Sequence, residues 1–280
     1  MNRVITLTTD FGVRDGYVAA MKGVILSINP GATVVDVSHD IEPQNIHQGA
    51  YVLSSVYSYF PRQTVHIAVV DPGVGTQRRA IVLVAPDALF VAPDNGILSY
   101  IIADSCPQQE IATTPEGLSL CQPCPPMRAI ALTNKAYWHP TVSLTFHGRD
   151  IFAPVAAHLS MGINPLRMGE EIESIIVFPI LRPVVMEDGT IVGHVIHVDR
   201  FGNLITDIRQ QDISSGKMLI MAAGQTIEGI SPTYAEGGAL LATVGSSGRL
   251  EVAMKNNSAS QHLGLRIGDE IQLKPVSVIS

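Results

Sequence analysis

The sequence predicts an α/β fold: an N-terminal three-layer domain with a largely parallel sheet, followed by a small C-terminal antiparallel β-barrel domain. Three observations carry this reading. Strand-like and helix-like runs alternate up to about residue 160, the pattern of a parallel sheet covered on both faces. After about Pro165 the helical runs give way to short strand candidates separated by Gly, Asn and Ser turns, the spacing of a small barrel or sandwich. Two N-terminal strands also empty directly into an acid, and the carboxyl ends of strands are where open α/β sheets bind ligands. With 280 residues the chain is long enough for two domains. We place them at 1–164 and 190–280, with 165–189, which holds Pro165, Pro179 and Pro183, as the connection.

Each element has a local reason. Val4 to Thr9 is strand-like, and Tyr17, Met21, Val24, Ile25 and Ile28 then recur at helical spacing until Asn29-Pro30-Gly31 stops the helix. Thr33 to Val37 is a second strand. A second helix is expected over Ile46 to Phe60, with Ala50, Leu53, Val56, Tyr57 and Phe60 on one face and Pro61 closing it. Val65 to Val70 is a β-branched apolar run ended by Asp71-Pro72-Gly73, an acid, a strand breaker and a flexible residue. Ala80 to Val84 and Ala88 to Ala92 form a strand pair across a Pro-Asp turn, and Pro93-Asp94-Asn95-Gly96 starts the next loop. The segment of about 105–127, rich in Pro, Gln, Ser and Thr, reads as an inserted surface loop. Beyond the connection, Val192 to Val198, Leu204 to Ile208, Met218 to Met221, Leu240 to Val244, Leu250 to Met254 and Glu270 to Leu273 are the short strands of the second domain. There is no internal repeat and no coiled-coil heptad.

Composition removes several function classes. A formal charge of −7 without a Lys/Arg cluster repels a phosphate backbone, so no nucleic-acid partner is expected. No run of about 18 apolar residues occurs, so no membrane-spanning helix is expected. The N-terminus enters a strand pattern directly, without the regions of a secretion signal, which makes a cytoplasmic location the expectation. Cys121-Gln-Pro-Cys124 has the gap of a zinc knuckle or redox pair. Only Cys106 accompanies it, however, and a structural zinc site takes four ligands, so the competing reading is plain loop composition.

The candidate chemistry gathers at strand ends. Asp71, with Arg78 and Arg79 close by, is either a fragment of a site or a surface turn whose charges pair with each other. Asp10 ends the first strand as Asp71 ends the third, so both acids should face one crevice, although Asp10 or Asp15 would also serve as a cap for the following helix. His147, in Thr145-Phe146-His147-Gly148-Arg149-Asp150, is a proton carrier near neutral pH. Paired with Asp71 it would activate water, with Arg78 orienting the carboxylate. The chain has nine histidines, and His39, His47, His66, His158, His194, His197 and His262 are read as structural. In Asp199-Arg200-Phe201-Gly202-Asn203 a carboxylate, a ring and an amide share one turn, which suits a ligand with an ammonium and a purine but is also ordinary hairpin composition. Ser246-Ser247-Gly248 and Asn256-Asn257-Ser258 have typical loop composition. Gly73-Val74-Gly75 lacks the third glycine of a dinucleotide fingerprint, and no phosphate-binding loop occurs.

Taken together, TTDFG with DGYVAAMKG, VVDPGVGTQRRA, APDNG, TFHGRDIFAPVAAHL, DRFGNLITDI and SSGRLEVAMKNNSAS resemble, in order and over nearly the whole chain, the S-adenosyl-L-methionine hydroxide adenosyltransferases, relatives of the fluorinating and chlorinating enzymes. The resemblance implies a hydrolase that splits S-adenosyl-L-methionine with water into adenosine and L-methionine, without a cofactor or metal. It implies that Asp71, Arg78 and His147 serve the water, with Arg79 as the alternative arginine. It assigns Asp10 to the ribose, Asp15, Asp199 and Ser247 to the methionine amino and carboxylate groups, Phe201 and Asn203 to the adenine, and Asn256 to the border of the base. It also implies a homotrimer with active sites between subunits.

The halogenating relatives carry tyrosines where this chain has Asp71 and His147, and the fluorinating type a serine at Gly148. A charged Asp71 repels a halide and welcomes water. Two other classes stay open from the residues alone: a regulator that binds the sulfonium metabolite or adenosine without turnover, and a metal-dependent hydrolase using Asp10, Asp71, Asp94 and His147.

Overall fold

Val4–Thr9 (β1) is almost wholly buried, because it runs between two parallel neighbours and has helices over both faces. The computed structural model describes residues 3–106, 117–214 and 216–276. They divide into a first unit, 1–180, and a second, 181–280.

The first unit continues through Tyr17–Ile28 (α1), Thr33–Ser38 (β2), Ile46–Val56 (α2), Thr64–Val69 (β3), Ala80–Val84 (β4), Ala88–Pro93 (β5), Ser99–Ser105 (α3), Ser119–Cys121 (β6), Arg128–Ala131 (β7), Ala153–Ser160 (α4), Glu170–Ile172 (β8) and Ile175–Val177 (β9). Its main sheet has the order β2-β1-β3-β5-β4-β7-β8. Pairing is parallel from β2 to β5 and antiparallel from there on, so the β4–β5 pair expected from the Pro-Asp turn is the point where the direction changes. Strand alternation then sorts the two faces. Ile5 and Leu7 of β1 and Val65, Ile67 and Val69 of β3 join a core with Met21 and Ile25 of α1 and Val155 and Leu159 of α4. Thr6 and His66 point the other way, where His66 stacks on Phe90 and meets Tyr57 and Phe60 at the end of the α2 segment. The second helix ends at Val56 and closes with one tighter turn, Tyr57–Tyr59, before Pro61.

Two stretches differ from the sequence reading. Of the loop expected over 105–127, residues 107–116 lie outside the described part. The remainder is not a surface loop: Cys106, Cys121 and Met127 are buried, and β6 pairs with β9. Cys124 is joined to Cys106 in a disulfide rather than to Cys121, whose thiol is free and buried. The alternation of Ser119, Leu120 and Cys121, buried at its first and third positions, is the strand signal that the polar composition of the loop conceals. The 165–189 segment is likewise not bare chain, since it supplies β8 and β9 to the first unit and Val184–Val185 (β10) to the second.

The second unit adds Ile191–Val198 (β11), Leu204–Arg209 (β12), Met218–Ala222 (β13), Gln225–Glu228 (β14), Leu240–Val244 (β15), Arg249–Met254 (β16), Ala259–Leu263 (α5) and Glu270–Pro275 (β17). Its strands pair antiparallel in the order β14-β13-β17-β11-β12-β16-β15, with β10 beside β11. The sheet is nearly closed: the chain between its end strands turns back, and Ser231 N–H donates to Ala242 O at 2.8 Å beside β15. Alternate residues such as Val195, Leu204, Ile220, Val252 and Leu273 fill the interior of this barrel.

Candidate active site

Parallel pairing sets the first cleft. Thr9 at the end of β1 pairs with Val69 at the end of β3, so Asp10 and Asp71 leave the sheet at the same edge. Both line a cleft of about 600 Å³, with Phe11, Tyr17, Phe146 and His147 around them. The convergence expected from two strand-end acids is therefore present.

Asp71 and Arg78 form a nearly buried ion pair, with side chains 6% and 9% exposed. Arg78 Nε donates to Asp71 Oδ1 at 2.8 Å, Nη2 donates to Oδ2, and Nη2 also reaches His147 Nδ1 at 2.8 Å. The guanidinium thus stands between the two groups that the sequence pairs directly. Arginine only donates, so His147 Nδ1 is the acceptor and the proton of the neutral ring sits on Nε2. Burial and the adjacent Arg78 cation hold the His147 imidazole below its ordinary value, against the pull of Asp71 and Asp150. The two arginines take different partners. Arg79 turns away to Asp94, with Nε donating to its Oδ2 at 2.8 Å, and to Ser174 O at 2.9 Å.

The loop that carries His147 is built to meet this pair. Gly75, at φ +79°, stands where a Cβ would lie 2.4 Å from Leu144 O, so only glycine lets the 71–78 loop approach the backbone leading to His147. Asp150, fully buried, accepts from Ser143 N at 2.8 Å and from Arg149, which hold its carboxyl low despite its burial. Directly after His147, Gly148–Phe152 forms a π-helical turn, a feature frequent at functional sites. Phe11, Tyr17 and Phe146 make mutual tilted and edge contacts at 5.2–5.8 Å on one side of the cleft. Sequence reading gave these three rings no role, because only the fold brings residues 11, 17 and 146 together. Gln44 was missed too: its backbone is left-handed at φ 67°, and its N–H donates to Asp10 Oδ2 at 2.9 Å. Such a conformation on a non-glycine residue is often retained for function.

The second unit carries a cleft of about 890 Å³ that contains Asp199, Phe201, Asn203, Tyr234 and Asn256. Asp199 builds the β11–β12 turn. Its Oδ1 accepts from Phe201 N and Asn203 N, each at 2.9 Å, and its Oδ2 accepts from Asn203 Nδ2 at 2.8 Å. Gly202 lets the turn pack on Ser258, whose Oγ would lie 2.0 Å from an added Cβ. Phe201 is 77% exposed and Tyr234 47%, so two rings face this cleft unpaired with any core. Tyr234, which the sequence analysis does not single out, donates to the buried Glu251 at 2.7 Å. Asn256 is another non-glycine residue with left-handed backbone, at φ 56°. Two predicted residues lie outside these clefts. Ser247 is exposed in the β15–β16 turn, at the opposite end of β16 from Asn256, and Asp15 is exposed ahead of α1.

Among the described residues no three His, Cys, Asp or Glu side chains group as metal ligands. Asp71 and Asp94 each give their carboxylate to an arginine.

The chain matches two family models, the SAM hydroxide adenosyltransferase N-terminal domain over residues 5–169 and the C-terminal domain over 193–272. It is 36% identical to the (R)-S-adenosyl-L-methionine hydrolase of Thermus thermophilus, covering 97% of this chain and 99% of that protein. It is 37% identical to the protein of the same name from Salinispora tropica, covering 96% and 97%. A fluorinase of Nocardia brasiliensis is more distant, 26% identical over 97% and 96% of the two chains. Among solved structures, an uncharacterized conserved protein from Thermotoga maritima superimposes with a TM-score of 0.82 at 34% identity, covering 97% of this chain and 99% of that one.

Proposed function

Because the chain belongs to the SAM hydroxide adenosyltransferase family, we propose that it hydrolyses S-adenosyl-L-methionine to adenosine and L-methionine, with Asp71, Arg78 and His147 holding the attacking water. The observation that carries the residue assignment is the Arg78 guanidinium joining Asp71 to His147 at the edge of the first cleft.

The chemistry divides among these groups. A sulfonium is already a good leaving group, so the enzyme aligns water behind the ribose methylene carbon and takes its proton. As the C–O bond forms, the C–S bond breaks and its electron pair neutralises the sulfonium. Asp71 is the proton acceptor: each of its oxygens accepts one bond from Arg78 and keeps lone-pair capacity for the water. His147, whose Nδ1 is occupied by Arg78, offers Nε2–H as an orienting donor. Positioning and removal of bulk water supply the remainder of the rate. Asp10 holds the ribose, Asp15, Asp199 and Ser247 the methionine end, Phe201 and Asn203 the adenine, and Asn256 borders the base. The aromatic faces of Phe11, Tyr17 and Phe146 suit a cation nearby.

The relatives' names specify an R configuration. Since L already fixes the amino-acid carbon, sulfur is the centre left to describe, and we read the R sulfonium as the substrate here. The assembly in this proposal is a homotrimer with active sites between subunits, in which Phe201 and the 74% exposed Leu144 are large apolar side chains available for contact. No helix among the described residues is long and apolar enough to cross a membrane. The cytoplasmic location stays a proposal beside a Cys106–Cys124 disulfide, which reducing compartments disfavour.

Incubation in ¹⁸O-water with substrate of mixed sulfur configuration tests the reading. Equimolar adenosine and methionine, with the label in adenosine and only one epimer consumed, are expected. Label elsewhere, or a 5′-halogenated product on adding fluoride or chloride, contradicts it. Tight binding with the substrate intact after long incubation would favour a non-catalytic regulator.

A further inference from the structure

Sequence alone gives His39 a structural role. In the fold it is 6% exposed and stands just past the end of β2, beside the turn that carries Asp10. Its Nδ1 lies 2.8 Å from Thr9 Oγ1, and its Nε2 lies 3.0 Å from Asp36 Oδ1. Asp36 in turn accepts from Lys22 Nζ at 2.6 Å. The backbone of His39 joins in, since its carbonyl accepts from Gly12 N at 2.8 Å. Thr9 Oγ1 also accepts from Phe11 N at 3.3 Å, so this hydroxyl ties the His39 ring to the backbone on the far side of Asp10.

These contacts converge on one carboxylate. Asp10 sits between Thr9 and Phe11, both in this network. Its own Oδ2 accepts from Gln44 N, at the far end of the short segment that His39 begins. His39 therefore pins the turn that carries Asp10 and also the start of the segment that donates to it. A histidine that served only the core would not commit Nδ1 and its carbonyl to the turn at the rim of a cleft.

We infer that His39 is a positioning residue for Asp10, acting through Thr9 and the segment to Gln44 so that the acid meets the substrate preorganised. The inference rests on the proposed reading of Asp10 as the substrate's ribose-binding acid. Loss of positioning weakens binding and leaves the reacting centre in place, so KM and kcat respond differently.

The test is steady-state kinetics with S-adenosyl-L-methionine on His39→Leu, Thr9→Val, Thr9→Ser, Asp10→Asn and the His39→Leu/Asp10→Asn double variant. His39→Leu should raise KM by about tenfold, the scale of one buried hydrogen bond, with kcat within about twofold of the parent. Asp10→Asn should also raise KM, and the double variant should show no more than the larger single effect. Thr9→Ser should restore the low KM that the isosteric Thr9→Val loses, a comparison that stands even if His39→Leu does not fold. Additive KM effects, an unchanged KM in folded His39→Leu, or equal behaviour of the two Thr9 variants overturns the inference. If Asp10→Asn alone leaves KM unchanged, the ribose reading of Asp10 fails in that arm and the inference falls with it; additivity beside an intact Asp10 effect sinks the inference only.

Discussion

Replacing Asp71 by asparagine separates two roles that sequence alone would give jointly to Asp71 and His147. The substitution keeps the shape of the side chain but removes the charge that Arg78 pairs with and the basicity that the water needs. At 6% and 9% exposure the ion pair is too buried for solvent to screen, so leaving Arg78 without its counter-ion should destabilise the fold by about 3–5 kcal/mol. Losing the proton acceptor should slow turnover by roughly 10²- to 10⁴-fold, or about 3–5 kcal/mol of barrier. His147→Gln should cost much less. Nδ1 of His147 is an acceptor from Arg78 rather than a free base, so the loss is on the scale of one neutral hydrogen bond, about fivefold to tenfold in rate. Adenosine release followed by chromatography gives the rates, and urea unfolding gives the stabilities. If His147→Gln slows turnover as much as Asp71→Asn in proteins that are both folded, the imidazole is the base and the argument from Arg78's donors is wrong.

Other consequences follow from the same structure. Because His147 is held below the ordinary imidazole value, first by burial and then by Arg78, activity should persist as pH falls through 6.5 and decline only when Nδ1 protonates and can no longer accept from Arg78; a midpoint at or above 6.5 in kcat/KM would contradict this. His66, buried and pushed down to about 4, stays neutral in the fold while the unfolded chain titrates at 6.5. Its share of the stability is therefore intact above 6.5 and lost as pH falls to about 4, by about 3 kcal/mol. Urea unfolding at pH 7 and pH 4 should show a shallower acid loss in His66→Leu than in the parent, and equal losses would refute it. A chelator should leave turnover unchanged, and loss of activity restored by a divalent cation would revive the metal-dependent reading. Light scattering should give three times the chain mass, and a monomer that remains fully active would remove the inter-subunit site from the proposal.

Most of the architecture was legible in the sequence because it depends on short-range rules. Periods of 2 and 3.6 marked β1, α1, β3 and the barrel strands, and Pro and Gly marked their ends. Asp10 and Asp71 were legible as a pair because parallel strands send their carboxyl ends to one edge. Composition misled where burial depended on a distant partner: the 119–121 strand hides in a polar segment and is buried only by pairing with 175–177. The ordered motifs were enough to identify the family and its reaction.

Tertiary structure decided what depends on direction. The sequence favours Arg78 and keeps Arg79 as the alternative, and only the fold turns Arg78 to Asp71 and His147 and Arg79 to Asp94. Which ring nitrogen of His147 carries the proton follows from the donor that meets it, and that donor lies 69 residues away in the chain. The same holds for Gln44 against Asp10, for the three rings at positions 11, 17 and 146, and for His39 behind Thr9. Chemical type is written residue by residue, whereas hydrogen-bond direction and desolvation exist only between residues that folding has brought into contact.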